Sequence, residues 1–208
     1  MKGLLLKDWY VAKKHCRMYP ILTIGFLVLS FVQRDNFFFV FYPCILCGML
    51  PVNLLAYDEQ GKWEVYSGTL PYTKAQLVSV KYLMGLLTQA AVVAATAVFQ
   101  MIAMHRYGTF SMEEYLALLC TLVMLSCLSN AVSLPFMFRF GVEKGRLAYL
   151  VMIGVVCAGG LISSDVMLAA LEKNTSPLAI MGMGAAVSVL LYALSWGLSI
   201  KLYQKREI

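Results

Sequence analysis

The sequence predicts an all-α integral membrane protein: six transmembrane helices preceded by an amphipathic interfacial helix. Three observations lead there. The chain has 208 residues, of which 61% are hydrophobic and 13% charged, against about 25% charged in an ordinary soluble domain. The apolar residues gather into six long runs. The lysines and arginines fall almost entirely in the segments that one topology places on the same side.

The N-terminal segment 1–17 comes first. An apolar cluster this short, followed by basic residues where a cleavage site would stand, does not read as a secretory signal. Read as a helix, Leu5, Trp9, Ala12, Cys16 and Tyr19 fall on one stripe, and Lys2, Lys7, Lys13, Lys14 and Arg17 on the other side. That pattern suits a helix lying in the membrane interface, with its apolar face in the acyl boundary and its cations at headgroups.

The runs are Met18–Val32, Phe37–Tyr57, Leu77–Met104, Tyr115–Phe138, Leu147–Ser164 and Pro177–Leu202. A crossing needs about 20 residues, and in lipid a helix satisfies its own backbone. The first run is short unless it borrows turns from the preceding helix. The expected outer loops, Gln33–Asn36, His105–Glu114 and Asp165–Ser176, are too small for a folded external domain.

With the N-terminus inside, the inner segments hold Lys2, Lys7, Lys13, Lys14, Arg17, Lys62, Lys74, Lys81, Arg139, Lys144, Arg146, Lys201, Lys205 and Arg206. The outer segments hold Arg34, Arg106 and Lys173. This asymmetry predicts that both termini and the loop after the second span are cytoplasmic. No repeat or linker is visible, so residues 1–208 form one membrane domain.

The loop itself, 56–82, is the long polar interruption of the first half. It carries Asp58, Glu59, Lys62, Trp63, Glu64, Tyr66, Leu70, Pro71, Tyr72, Lys74, Lys81 and Tyr82. Thr73 and Gln76 stand in capping-box spacing, which predicts a helix start. Trp63 and Tyr66 share a face on a helix, Glu59 extends the stripe, and Pro71 stops it. Residues 58–76 therefore read as a docking surface with two aromatic anchors.

The spans carry no Asp, Glu, Lys, Arg or His near their middles, which argues against a proton- or ion-coupled carrier. A membrane protease would need a nucleophile with a base, or a metal site. His15 and His105 fall on opposite sides and cannot share a metal. Asn53, Gln89, Gln100 and Asn130 can join helices by hydrogen bonds; Asn53 and Asn130 can also line a polar spot in a pathway. Pro51 beside Asn53 marks a flexing point near the inner end of the second span. Small residues at spacings of four (Ala90, Ala94 and Val98; Gly159 and Ser163; Gly182 and Ala186) suit close helix packing. The six cysteines are expected to form no disulfide, and Cys44-x-x-Cys47 reads as helix packing. No phosphate-binding G-x-x-x-x-G-K-[ST] is present, so any ATP-driven motor is another polypeptide.

The opening Met1-Lys2-Gly3-Leu4-Leu5-Leu6-Lys7-Asp8-Trp9-Tyr10 resembles the start of small bacterial ABC-2-type permeases. So does the series Tyr57-Asp58-Glu59, Lys62-Trp63, Tyr66, Thr69-Leu70-Pro71, Lys74, Val78 and Lys81-Tyr82. The resemblance covers nearly the whole chain and extends to permeases of phenol-soluble modulin and bacitracin-type exporters. It implies a half-exporter in the bacterial cytoplasmic membrane. Two permease chains, identical or close paralogues, would form the pathway, with separate ABC ATPase chains beneath them. ATP and Mg would sit on those ATPases, with no cofactor bound and no catalysis by this chain. The cargo would be amphipathic or antimicrobial-type peptides or lipid-like compounds. The coupling residues would be Glu59, Lys62, Trp63, Tyr66, Leu70, Pro71 and Lys74, supported by the interfacial helix through Leu5, Trp9, Lys13 and Lys14. Larger ABC-2 permeases carry sizeable external helices after the fifth span, which 165–176 is too short to supply. The rival reading is a membrane anchor or sensor whose loop docks a signalling partner.

Overall fold

The computed structural model describes residues 2–32, 38–108, 111–155 and 177–204. All the regular structure in them is helical: α1 (Lys2–His15), α2 (Met18–Val32), α3 (Phe38–Gly48), α4 (Leu50–Gln60), α5 (Trp63–Ser67), α6 (Lys74–Tyr107), α7 (Met112–Phe140), α8 over 142–155 and α9 (Pro177–Gln204).

Among the described residues, four helices are long and apolar enough to cross a bilayer: Phe38–Gln60, Lys74–Tyr107, Met112–Phe140 and Leu178–Gln204. Met18–Phe31 is apolar but shorter. The second half of the expected fifth span lies outside the described residues, as do the loops 33–36 and 165–176. The expected loop His105–Glu114 is mostly helix: α6 runs to Tyr107 and α7 starts at Met112. Gly108 ends α6 in the left-handed region at φ 69°, which glycine adopts without strain. With 34 residues, α6 is about 51 Å long at 1.5 Å per residue, well beyond the hydrocarbon core.

Side-chain contacts fix the directions of the helices. Thr23 meets Cys47 and Phe26 meets Tyr42, so α2 and α3 are antiparallel. Gln89 meets Ser129 and Tyr115 meets Ala97, so α6 and α7 are antiparallel too. Thr121 meets Met181, Ser195 meets Ala131 and Phe138 meets Tyr203, so α7 and α9 run parallel. Phe140 and Pro177 therefore lie at opposite ends of the bundle, and α1, the α4–α6 connection and the end of α9 share one end of the molecule.

Lipid tails are as apolar as the side chains, so polar contacts and close packing must hold the bundle together. Tyr82 stacks on Trp196 with ring centres 5.6 Å apart, and its hydroxyl bonds Ser195 Oγ at 2.8 Å and Ser199 Oγ at 2.7 Å. Tyr192 OH donates to the Tyr82 carbonyl at 2.7 Å. Ser195 Oγ donates to the Ala131 carbonyl at 2.7 Å, completing a lock between α6, α7 and α9.

The second span is bent where α3 gives way to α4. Pro51 lacks an N–H and sits in the first turn of α4, the position helices tolerate for proline. Met49 donates to Leu46 O instead of continuing the α pattern. Buried side chains fill the bend: Tyr149 OH donates to Ile45 O, and Gln89 Nε2 donates to Cys44 O at 3.0 Å. Gly48 is squeezed among them. A Cβ there would lie 2.8 Å from both Ser129 Oγ and Tyr149 OH. Of the spaced small residues, Ala90, Ala94 and Val98 lie on the exposed side of α6, and Gly182 has nothing within 4 Å of its Cβ position.

Gly48→Val is expected to cost about 1–3 kcal/mol through overpacking, while Gly182→Ala should be neutral or stabilise by up to about 1 kcal/mol. Thermal unfolding of the detergent-purified protein, followed by gel filtration, compares the two.

Candidate functional site

The loop begins where α4 runs out of the bundle. Asp58 lies in the last turn of α4, Asp8 in the middle of α1 and Lys81 two turns into α6. The three meet with Lys7 in one cluster. Lys81 Nζ is 2.8 Å from Asp8 Oδ2 and 2.6 Å from Asp58 Oδ2. Lys7 Nζ is 2.7 Å from Asp58 Oδ1 and 3.2 Å from Asp8 Oδ1. The side chains of Asp8 and Lys81 are only 2% and 7% exposed. Two carboxylates and two ammonium groups balance, which is what allows charges to be buried. Lys7 Nζ also lies 4.0 Å from the Trp63 ring centre, within cation–π range.

This corrects the reading of α1. Lys7 does not face headgroups; it closes the cluster. The buried face of α1 carries Leu4 and Asp8, while Trp9 is 58% exposed. Leu5, Ala12, Cys16 and Tyr19 do share an apolar surface, but they spend part of it on Leu50 and Leu54 of α4 and Met84 of α6. The stripe is also not one helix, since α1 ends at His15 and α2 begins at Met18. Lys13, Lys14 and Arg17 are exposed.

The docking helix expected across 59–70 is two pieces. α4 stops at Gln60, and Lys62 takes a left-handed backbone with φ 50°. Glu59 and Trp63 therefore lie on different helices. Glu59 Oε1 accepts the N–H of Val142 at 3.3 Å, placing a carboxylate at the start of α8, where the helix dipole favours it. Lys62 is exposed, and its carbonyl accepts the N–H groups of Val65 and Tyr66 that open α5. Trp63 and Tyr66 do meet, with ring centres 5.4 Å apart. Trp63 is turned partly inward towards Leu55, Asp58 and Leu77, whereas Val65 is 67% and Tyr66 58% exposed. α5 ends at Ser67, four residues before Pro71. Leu70 is half-buried and Pro71 exposed, and Lys74 is the first residue of α6. The capping box is present: Gln76 N donates to Thr73 Oγ1 at 3.3 Å, and Thr73 N donates to Gln76 Oε1 at 3.2 Å.

Asn53 links three helices, donating to Tyr19 OH of α2 and accepting from Arg146 of α8 at 3.4 Å. Asn130 is buried beside Gly85 and Pro51. The proposed flexing residues thus surround the bend in the second span.

What the sequence reading missed is the cluster itself. Lys7 and Asp8 are neighbours in sequence, while their partners Asp58 and Lys81 lie 51 and 73 residues away, beyond the reach of a helical-angle argument. The available signal was that an acid stood alone within a strongly basic helix.

Lys81→Met leaves Asp8 buried with one fewer cation, and removing one partner from a buried pair costs about 3–5 kcal/mol. α1 is therefore expected to detach, making Lys13 and Lys14 faster sites for trypsin in the purified protein. The exchanged pair Asp8→Lys with Lys81→Asp should recover much of the protection.

Comparison with curated proteins and with solved structures returned no match. A family model described as ABC-2 family transporter protein matches residues 3–204, nearly the whole chain, including every element of the cluster and loop. The family pairs a membrane permease with an ABC ATPase, and this chain belongs to it: it is the multi-pass membrane permease component of an ABC transporter.

Proposed function

We propose that the chain is one half of an ATP-driven exporter in a bacterial cytoplasmic membrane, moving amphipathic peptides or lipid-like compounds. A second permease chain, identical or a close relative, completes the pathway, and ABC ATPase chains bind at the end that carries α1 and α5. The observation that carries this reading is the ion cluster. It ties α1 and the end of α4 to α6 and, through Lys7 beneath Trp63, to α5. A push on α5 is thereby passed to two membrane helices at once.

The coupling surface of this proposal comprises Val65 and Tyr66 as the exposed apolar contacts, with Lys62, Leu70, Pro71 and Lys74 around them. Trp63 and Glu59 act behind it, Trp63 on the cluster and Glu59 on α8. Pro51, Asn53 and Asn130 form the hinge through which the second span responds. Leu5, Trp9, Lys13 and Lys14 of α1 brace the loop against the membrane surface.

An apolar face between α7 and α8 supports the cargo class. It forms an open hollow of about 710 Å³, lined by Leu128, Val132, Phe136, Leu147 and Val151 and by Lys144. Half a pathway of this kind, closed by a second copy, suits cargo with an apolar side. The basic residues of α1, of the α4–α6 connection and of the ends of α7 and α9 lie at one end of the bundle, which supports a cytoplasmic position for that end.

Two experiments test the reading. Aromatic anchors at an interface typically cost about 2 kcal/mol or more on truncation, roughly thirty-fold in affinity. Val65→Ala with Tyr66→Ala should therefore leave the permease folded but strip the ATPase from it on co-purification, and abolish transport. Lys62→Ala, a rim charge, should do much less. Normal export by the double variant would favour the anchor-or-sensor alternative. On a cysteine-free background, Gln60→Cys should resist a membrane-impermeant maleimide in intact cells and Thr109→Cys should react; the reverse pattern would invert the topology.

A further inference from the structure

A second concave surface, sharing no lining residue with the α7–α8 face, lies where α1 turns into α2. It is a groove of about 680 Å³ between α1, α2, α4 and α6. Its floor is Cys16, Leu50 and Met84, all buried, and its walls include Ile21, Leu87 and Val92. The polar residues along it are turned away or spent. Thr23 Oγ1 donates to the Tyr19 carbonyl at 2.8 Å, and Thr88 Oγ1 to the Met84 carbonyl at 2.9 Å, so each presents its methyl group. The Tyr19 hydroxyl is taken by Asn53.

The mouth has the opposite character. Lys13 and Arg17 stand at it, both exposed, with Lys14 next in sequence. Arg17 Nε donates to the Lys13 carbonyl at 3.2 Å, which holds the guanidinium against the end of α1. Among the described residues no carboxylate pairs with either cation. The nearest acid in sequence, Asp8, is committed to Lys81 and Lys7. Trp9, an amphipathic ring of the kind found at the membrane–water boundary, borders the same end.

An open, largely apolar slot under two cations that no carboxylate pairs among the described residues fits one chemistry: an acyl chain with a negative headgroup. We propose that this groove is a binding site for an anionic phospholipid of the leaflet that faces α1, with one acyl chain along α6 and the phosphate between Lys13 and Arg17. The charge at the mouth selects the headgroup; the slot selects the chain. Because the groove is walled by α1 and α2 on one side and by α4 and α6 on the other, a seated lipid also fills the space between the interfacial helix and the bundle.

The site is separate from the α7–α8 face and from the α5 surface, so its test does not depend on transport. The purified permease is reconstituted into nanodiscs of equal phosphatidylglycerol and phosphatidylcholine, and the lipids it keeps are counted by native mass spectrometry. A basic residue near an anionic surface contributes about fivefold in binding, so the wild type should retain phosphatidylglycerol over phosphatidylcholine by about 25-fold. K13Q with R17Q should bring the two lipids to parity, whereas K13R with R17K should keep the preference. Ala91→Trp, which fills the slot from an exposed position of α6, should reduce retention of both lipids. K201Q, at an exposed lysine that does not line the groove, serves as the control. Unchanged selectivity in K13Q with R17Q, or unchanged retention in Ala91→Trp, would overturn the proposal. If the double glutamine variant fails gel filtration, each single substitution should lose about fivefold, and no loss in either would have the same effect.

Discussion

The balanced quartet of Lys7, Asp8, Asp58 and Lys81 is the constraint on which the end of the molecule that carries α1 and α5 depends. Each carboxylate touches both ammonium groups within 3.2 Å, so no member can leave without stranding a charge. Such a cluster is a poor source of stability, because desolvation consumes most of what the ion pairs return. Its value is positional. Hydrophobic contacts could press α1 onto α4 and α6 in many registers; four charges that must pair permit one. Having fixed α1, the cluster also sets Trp63 over Lys7, and hence which residues of α5 face outward.

The bend at Met49 is a second constraint with a different remedy. Within a bilayer a carbonyl deprived of its helical donor has no water to turn to. The side chains of Gln89 and Tyr149 reach the bend from α6 and α8 and donate to Cys44 O and Ile45 O. Gly48 has no Cβ because those donors need its space. Two helices are thus tied to the one that is bent, and any change in the bend must move or release them.

Much of the fold was legible because membrane helices announce themselves by length and hydropathy, and capping is local: Thr73 and Gln76 lie three residues apart, and the box they form is where the pattern put it. The end of α6 was misplaced because His105 and Arg106 look like loop residues, yet a helix that projects past the hydrocarbon core can carry them. The site was legible in outline only. The residues of 58–76 are where a docking surface was expected, but Lys62, not Gly61, takes the left-handed turn, and this separates Glu59 from Trp63. Nothing in a helical wheel distinguishes Lys7, which pairs across 51 residues with Asp58, from Lys13, which faces outward. Helical angle gives the face of a residue; it does not say what occupies that face.

The two halves of the bundle are held by different chemistry, and that difference bears on how it can move. α6, α7 and α9 are joined by rings and hydroxyl groups around Tyr82, short bonds inside an apolar layer that lose heavily on any displacement. α1 meets the remainder through the quartet and through apolar contacts with Leu50 and Leu54 of α4 and Met84 of α6. Ion pairs act over longer distances than hydrogen bonds, and an apolar contact has no preferred direction. Within the one register that the quartet permits, small shifts of α1 therefore cost less than sliding within the Tyr82 lock. The exposed α5 surface rests through Trp63 on the helix whose attachments tolerate displacement, while α7, one wall of the α7–α8 surface, belongs to the rigid lock.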